Sequence, residues 1–214
     1  MGKIGKRLNG EPINSVGGGR LVAYDLGTGA LLWTYVSGGG ASAPVVSGRA
    51  VYVKGNDGTV YRLDGATGAV QWHTQPSPQA RAAYDPNSIQ LPPVIAGRLV
   101  FADAGHAVNA YDLVTGVGRW TAKAPTGQPL AMIGTTLYTL SLGGTMEWFD
   151  VATGARRGSA AVRGSDFALP AVSDGAMIAA FVRNDNGPTP GPGTLPHGPG
   201  PGVDGGLVAV EPTR

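Results

Sequence analysis

Short apolar runs alternate along this chain with turns that contain glycine. In four stretches, two runs of β-branched or aromatic residues flank a tight Ser-Gly, Ala-Gly, Ile-Gly or Asp-Gly turn. These stretches read SAPVVSGRAVYVKGNDG (42–58), LPPVIAGRLVFADAGH (91–106), PLAMIGTTLYTLSLGG (129–144) and ALPAVSDGAMIAAFVRND (168–185). Such runs are typical of β-hairpins, and the 3.6-residue periodicity of amphipathic helices is missing. The pattern predicts an all-β protein.

A second phrase recurs between these hairpins. It reads YDLGTGALLW (24–33), RLDGATGAVQW (62–72) and AYDLVTGVGRW (110–120), with a degenerate fourth copy, WFDVATGARRG (148–158). Its aspartates lie 39, 48 and 38 residues apart, and a partial fifth copy places Glu211 where the next aspartate would stand. Periods near 40 residues with strand-like content predict a β-propeller of four-stranded antiparallel blades, for example strands 43–46, 50–54, 59–64 and 69–74.

Each phrase predicts a hairpin turn and a contact between blades. The oxygens of Asp25 and Thr28 suit bonds to turn N–H groups, and Gly29 suits a positive φ. Trp33 on the outer strand suits packing against the next blade, although such an indole could also stack on a ligand. Trp148 is out of phase, and Gly158 stands at the expected tryptophan position. The equivalent residues are Asp64, Thr67, Gly68, Trp72, Asp112, Thr115, Gly116, Trp120, Asp150, Thr153 and Gly154.

The motif D-x-x-T-G-x-x-x-W, preceded by VAYD or YRLD and separated by SAPVV…G…VYV, resembles the pyrroloquinoline-quinone-type (PQQ-like) propeller repeat. The resemblance covers residues 17 to 211 and implies the fold. The family includes quinoprotein alcohol dehydrogenases, an outer-membrane assembly propeller lipoprotein of Gram-negative bacteria, and sensor-like domains of bacterial kinases. Most members that carry only the repeat bind no quinone. A fold of this kind does not by itself imply one function.

The strand count predicts an incomplete ring. Residues 20–36 supply only the third and fourth strands of a blade, three complete blades follow, and the C-terminal part supplies three strands more. The resulting 17 strands suggest about half of a seven- or eight-bladed ring, as a fragment or as one partner of a homodimer. In the alternative, a four-bladed ring, residues 207–211 compete with residues 21–25 for one place. Residues 1–16 are an N-terminal extension, and residues 17–214 form the repeats, with a Gly/Pro-rich insertion at 184–204.

Composition excludes several classes of function. Only 14% of the residues are charged and the net charge is +2, which argues against nucleic acid and anionic membranes as partners. The chain has no cysteine, which excludes disulfides, zinc–thiolate sites and a lipoprotein anchor. No apolar run follows the basic N-terminal residues, so no signal peptide or membrane insertion is expected. Localisation stays unknown from the residues alone; the family resemblance favours the cell envelope or another extracytoplasmic place.

The two longest departures from the repeat predict a binding rim. Residues 75–90 lengthen a link between blades, and residues 184–204 interrupt a blade between its second and third strands. Both loops belong to the same rim, and variable loops on a rigid scaffold commonly carry binding. The segment 187–202 holds 12 Gly or Pro in 16 residues and cannot build a core. The expected contact surface comprises Arg81, Tyr84, Asp85, Asn87, Arg183, Asn184 and Asp185.

No catalytic group is recognisable. The related dehydrogenases hold their quinone with a vicinal cysteine pair and a calcium site, whereas this chain has no cysteine and its expected inner strands are apolar (43–46, 91–95, 129–132 and 169–172). His73, His106 and His197 are scattered singly, so no metal site is expected. The sequence favours a non-catalytic scaffold for a protein or peptide partner, without a cofactor. The alternatives are a quinone-dependent oxidoreductase or its remnant, using PQQ with calcium, and an extracytoplasmic sensor domain of a kinase-linked or envelope protein.

Overall fold

A computed structural model shows a succession of antiparallel β-sheets. It describes residues 19–37, 40–55, 57–75, 91–104, 106–124, 130–141 and 145–161, and the backbone of strands at 166–167, 171–173, 176–183 and 204–210. All 18 elements of these regions are strands. The first half of them are β1 (Arg20–Tyr24), β2 (Leu31–Val36), β3 (Val45–Ser47), β4 (Ala50–Lys54), β5 (Val60–Asp64), β6 (Val70–His73), β7 (Val94–Ala96), β8 (Leu99–Ala104) and β9 (Ala107–Asp112). The second half are β10 (Gly118–Lys123), β11 (Ala131–Ile133), β12 (Thr136–Leu140), β13 (Thr145–Asp150), β14 (Arg156–Ala161), β15 (Asp166–Phe167), β16 (Ala171–Ser173), β17 (Ala176–Arg183) and β18 (Asp204–Val210).

The sheets are propeller blades, which confirms the predicted fold class. Blades two, three and four are complete and run in chain order as β3–β6, β7–β10 and β11–β14. Their first strands lie side by side, β3 with β7 and β7 with β11. In each complete blade a glycine with positive φ joins the first two strands: Gly48 (58°), Gly97 (55°) and Gly134 (56°). Such a conformation suits glycine because it has no Cβ.

Within the described residues the two terminal sheets are incomplete and the sheets do not close into a ring. The described part of blade one consists of β1 and β2, which pair with each other. In the last blade β17 pairs on one edge with β15 and β16 and on the other edge with β18. Because β18 pairs with β17 and not with β1, the four-bladed alternative is not what the structure shows. The described part of the chain is an open arc, as the strand count predicted.

The described part of the chain holds 18 strands, and the sequence predicts 17. In the last blade β15 and β16 both pair with one edge of β17, and β16 overlaps the inner strand that the sequence predicts at residues 169–172. In the complete blades the strands whose bounds the sequence predicts begin and end within three residues of the observed ones.

The hydrophobic core lies between the blades. Because side chains alternate along a strand, each sheet presents one face to the preceding blade and one to the following blade. On β4, Val51 and Val53 pack with Trp33 of blade one, whereas Tyr52 packs with Val100 of blade three. A further apolar cluster joins blades three and four through residues such as Phe101, Val108, Leu137 and Phe149. Each blade therefore depends on its neighbours for burial.

Candidate functional site

The repeated aspartate organises the turn between the third and fourth strands. Asp25 Oδ1 accepts hydrogen bonds from the backbone N–H groups of Gly27 (3.1 Å) and Thr28 (2.8 Å) and from the Thr28 hydroxyl (2.8 Å). Thr28 Oγ1 in turn accepts from the Ala30 N–H at 3.3 Å. The turn ends at Gly29, whose φ is 71°. Corresponding bonds are present at Asp64, Asp112 and Asp150.

These hydrogen bonds favour the ionised aspartates. The Thr28 hydroxyl is the main cause that lowers the pKa of Asp25 below its usual value of 3.8. The pKa of Asp112 lies well below 3.8, chiefly because Arg119 donates to its Oδ2 at 2.7 Å. The pKa of Asp150 is lowered mainly by Thr153, and Arg157 contributes further by its bond to Oδ2. The four carboxylates thus act as fixed acceptors of turn hydrogen bonds.

Two of the repeated tryptophans join one blade to the next. The Trp33 indole N–H donates to the backbone oxygen of Gly65 at 2.9 Å, and Trp120 donates likewise to Val151 at 2.9 Å. Each ring lies on the Thr-Gly glycine of the following blade. A Cβ added to Gly68 would lie 2.7 Å from the Trp33 ring. The absence of a side chain at this glycine is therefore what makes room for the indole.

Trp72 has the same packing but not the same hydrogen bond. It lies on Gly116, where an added Cβ would be 2.8 Å from its ring. By the repeat, its indole N–H should donate to the Leu113 carbonyl, which instead accepts the Tyr52 hydroxyl at 3.0 Å. Arg62 Nε donates to that hydroxyl at 3.1 Å. The buried indole nitrogen of Trp72 has no hydrogen-bond partner as a result.

Trp148 fills the place of the missing fourth tryptophan. Trp148 on β13 pairs with Gly158 on β14, and a Cβ added to Gly158 would lie 2.5 Å from the indole ring. The ring centroid is 6.2 Å from that of Tyr138, close to the 6.0 Å between Tyr52 and Trp72. An aromatic ring on the neighbouring strand therefore covers a strand glycine that lacks a side chain of its own.

A buried ion pair connects blades two and three, and sequence reasoning missed it. Lys54 Nζ contacts Asp103 Oδ1, and the lysine is only 1% exposed. Both residues stand two positions after the central aromatic residue of a second strand, Tyr52 or Phe101. Opposite charges at one repeat position of adjacent blades are a signal that could have revealed the pair. At the equivalent position, blade four has the apolar Leu140.

The comparisons with known proteins identify the family. A family model described as "Outer membrane protein assembly factor BamB" matches residues 10–174, more than half of the chain. The chain belongs to this BamB-like family of PQQ-type propeller repeats. No curated protein matches it.

Three solved structures show the same fold. BamB from Moraxella catarrhalis is 20% identical, with a TM-score of 0.62 and coverage of 78% of this chain and 51% of that chain. The computationally designed Ika8 protein is 15% identical, with a TM-score of 0.60 and coverage of 86% and 51%. The quinohemoprotein alcohol dehydrogenase ADHIIG from Pseudomonas putida HK5 is 14% identical, with a TM-score of 0.55 and coverage of 66% and 28%. The chain spans about half the length of the first two of these structures.

A groove opens between blades one and two of this BamB-like propeller. Its volume is about 490 Å³, and its walls are mostly apolar but include Arg49. It is lined on one side by β1 and on the other by the β3–β4 hairpin; the residues are Leu21, Val22, Ala23, Trp33, Pro44, Val46, Gly48, Arg49, Val51, Gly65 and Ala66. Among the described residues no group of three acidic, histidine or cysteine side chains could hold a metal ion, and no helix is long and apolar enough to cross a membrane.

The predicted contact surface of the propeller falls almost entirely outside the described residues. Arg183 is the last residue of β17, where the structure describes the backbone. His73 lies on β6 with its ring centroid 5.9 Å from that of Tyr61, and His106 immediately precedes β9. The residues outside the described regions are Arg81, Tyr84, Asp85, Asn87, Asn184, Asp185 and His197.

Proposed function

We propose that this BamB-like propeller is a non-catalytic scaffold that binds a protein or peptide partner. The observation that supports this most is that the repeated polar residues form their hydrogen bonds and packing contacts within the propeller itself. The repeated aspartates accept turn hydrogen bonds, and the tryptophans lie on glycines of the following blades. Lys54 and Asp103, the buried charges with the most evident potential for chemistry, neutralise each other. Such an arrangement provides rigidity, which is what a binding scaffold requires.

The partner surface belongs on the rim that carries the two long loops. A stack of blades with buried interfaces is a rigid base of the kind that carries binding loops in other proteins. Residues 75–90 offer Arg81, Tyr84, Asp85 and Asn87, which combine an aromatic ring with charge of both signs. Arg183, Asn184 and Asp185 extend the same rim at the base of the insertion. Tyr and Arg are the residues that most often dominate protein interfaces.

The rim can be tested with peptides selected against the whole protein. Peptides from a displayed random library would be selected on the immobilised chain, and their dissociation constants measured by fluorescence anisotropy. We expect Arg81→Ala with Tyr84→Ala to weaken binding about tenfold or more. Val114→Ala, at an exposed turn, is the control and should leave binding unchanged. Equal binding to both variants would show that the rim is not the site.

A quinone-dependent oxidoreductase, or a remnant of one, is the second candidate. The similarity of fold to a quinohemoprotein alcohol dehydrogenase favours it. Native mass spectrometry of the chain with PQQ and calcium separates the two functions. If the protein is a scaffold without a cofactor, its mass should be that of the apoprotein. A stoichiometric adduct with PQQ would instead support the oxidoreductase function.

We further propose an extracytoplasmic place, in keeping with the described function of the BamB family as an outer membrane protein assembly factor. An extracytoplasmic sensor is compatible with the same rim and would differ in being joined to a signalling domain. Fractionation of cells that carry a tagged genomic copy tests the compartment. A tag found wholly in the cytoplasmic fraction would refute this placement.

A further inference from the structure

The outer ends of the blade junctions differ in the side chains that fill them. Blades of a propeller radiate from a central channel, so neighbouring blades diverge towards their outer strands. At the first junction, three rings occupy this space: the Tyr61 ring centroid lies 5.7 Å from that of Tyr35 and 5.9 Å from that of His73. The residues at the same repeat positions of the second junction are Thr74, Asn109 and Thr121. Three small hydrogen-bonding side chains therefore stand where the first junction has rings.

Asn109 of blade three brings a hydrogen-bond donor that has no acceptor. The residue is only 7% exposed. Its Oδ1 accepts a hydrogen bond from the Thr121 hydroxyl at 2.7 Å, whereas its buried Nδ2 has no hydrogen-bond partner. A buried amide N–H without an acceptor destabilises a folded protein. Because folded proteins leave few such groups unsatisfied, this donor is a candidate for the binding of a ligand.

Thr74 presents a second unpartnered atom from the opposite wall of this junction. Its backbone N–H donates to the Val60 oxygen at 2.8 Å, and its buried Oγ1 has no hydrogen-bond partner. Burial raises the pKa of Tyr111 on β9, and the neighbouring Thr74 side chain opposes this rise without completing a hydrogen bond. Tyr111 and Asn109 are alternate residues of β9 and share one face of the strand. Thr74 therefore faces the surface that carries the unpartnered amide of Asn109.

The two unpartnered atoms lie near the outer edge of the propeller, beside the proposed rim. Thr74 immediately precedes the link at 75–90 and is only partly buried. Thr121 on the outer strand β10 is exposed, and so is Lys123, two positions further along the same face. A group that binds to Asn109 would therefore approach between β6 and β10. We call Thr74, Asn109, Thr121 and Lys123 the second-junction site.

The chemistry of the second-junction site favours an acidic ligand. The Asn109 amide and the Thr74 hydroxyl can both donate hydrogen bonds. The Lys123 ammonium adds a positive charge that has no ion pair within the described residues. Asp103 of the same junction is already paired with Lys54. An ionised carboxylate accepts hydrogen bonds and donates none, so it complements two donors and a cation.

The third junction has different chemistry at the same repeat positions. Its residues there are Ala122, Glu147 and Ser159. Glu147 stands at the position of Asn109 and forms an ion pair with Arg156 at 2.7 Å. A carboxylate would meet a like charge there, and a methyl group in place of the Thr74 hydroxyl. Among the three described junctions, the second is therefore the one suited to an acidic group.

We propose that the second-junction site binds an aspartate or glutamate side chain of a peptide partner. This inference rests on the proposed scaffold function and specifies one group that the partner carries. The carboxylate accepts hydrogen bonds from Asn109 Nδ2 and Thr74 Oγ1, and Lys123 attracts its charge. Because Thr74 directly precedes the link at 75–90, the same peptide can contact the rim and this site together.

Peptides selected on the immobilised whole protein are the probe for this site. In the tightest peptide that Arg81→Ala with Tyr84→Ala weakens, replacement of one Asp or Glu by Ala should weaken binding about tenfold or more. Asn109→Leu should weaken the parent peptide by a similar factor and leave the affinity for the Ala peptide unchanged, because both substitutions remove the same contact. Thr74→Val, which replaces only the hydroxyl, should act in the same direction. Fluorescence anisotropy measures the dissociation constants.

Thermal stability separates the loss of a ligand contact from the loss of the fold. Asn109→Leu should melt at or above the temperature of the unsubstituted chain, because it removes an unbonded buried N–H. Ser159→Ala, at the Thr121 position of the third junction, is the control and should leave binding unchanged. A lower melting temperature of Asn109→Leu, or equal weakening of the parent and Ala peptides, would make Asn109 a structural residue and overturn this inference alone. Peptides that are insensitive to Arg81 and Tyr84 would instead contradict the proposed rim.

Discussion

At the scale of single residues, equivalent interfaces between blades differ in individual hydrogen-bonding groups. The indole N–H groups of Trp33 and Trp120 each satisfy a backbone carbonyl of the next blade. At the second interface, the Tyr52 hydroxyl satisfies that carbonyl instead. Three tryptophans in equivalent positions therefore differ in one hydrogen bond, which allows that bond to be measured within one protein.

Substitution of each tryptophan by phenylalanine should separate packing from hydrogen bonding. All three variants lose similar apolar contact, but Trp33→Phe and Trp120→Phe also leave a carbonyl without its donor. We expect these two to lower the free energy of unfolding by about 1 kcal/mol more than Trp72→Phe does. Urea unfolding followed by circular dichroism provides the comparison. Equal losses in all three would mean that the indole hydrogen bonds contribute nothing net.

The glycines of the repeated turns allow a similar comparison. Gly29→Ala meets no neighbouring atom among the described residues, so it suffers mainly from the positive φ of 71°. Gly68→Ala has a nearly identical φ of 72° but would place its Cβ 2.7 Å from the Trp33 ring. Gly68→Ala should therefore cost about 1–3 kcal/mol more than Gly29→Ala, the usual penalty of overpacking. Thermal unfolding of the pair measures the difference, and a larger loss in Gly29→Ala would refute the account.

At the scale of strands and turns, charged side chains in the core and in the turns of the complete blades have partners of opposite charge or hydrogen-bond donors. The buried pair joins the ends of β4 and β8, and the turn aspartates receive arginine or glutamine side chains from the following strand. Blade one departs from this pattern, because Leu32 stands where blades two, three and four have Gln71, Arg119 and Arg157. The polar partners therefore strengthen the turns of the complete blades.

Removal of one member of the buried pair should destabilise the protein strongly. Asp103→Ala leaves the Lys54 ammonium buried without a counter-charge, so we expect a loss of about 3–5 kcal/mol. The double variant Lys54→Met with Asp103→Leu removes both charges and should recover most of that loss. Chemical unfolding of the single and double variants tests this. A double variant as unstable as the single one would mean that the charges do not act as a pair.

The turn carboxylate of blade three should make stability depend on acid. The pKa of Asp112 in the folded protein lies below its usual value of 3.8, so the stabilisation is fully present above that pH. It is lost as the pH falls from 3.8 towards the folded-state pKa, because protonation then opposes the bond from Arg119. In Asp112→Asn this part of the acid dependence should be absent. Melting temperatures between about pH 5 and pH 2.5 measure it; parallel curves would exclude Asp112 as a cause.

At the scale of the whole molecule, the sequence predicts the features that recur from blade to blade better than the contacts that occur only once. Apolar runs and the D-x-x-T-G-x-x-x-W phrase identify the blades because each feature is local and occurs several times. The Lys54–Asp103 pair and the Tyr52–Leu113 bond occur once and join residues about 50 to 60 positions apart. The proposed rim rests on loops without a repeat pattern, so its geometry could not be inferred from the chain.

The position of the tryptophans also gives the molecule a set of optical reporters. Trp33, Trp72 and Trp120 each lie at a different junction between blades, and Trp148 lies on the face of blade four that points away from blade three. Replacing three of the four by phenylalanine leaves one emitter that senses one junction. The fluorescence of such single-tryptophan proteins can follow the separation of individual blades during unfolding. An array whose junctions separate at different urea concentrations would behave as a chain of coupled units, whereas coincident transitions would show that the arc unfolds as one body.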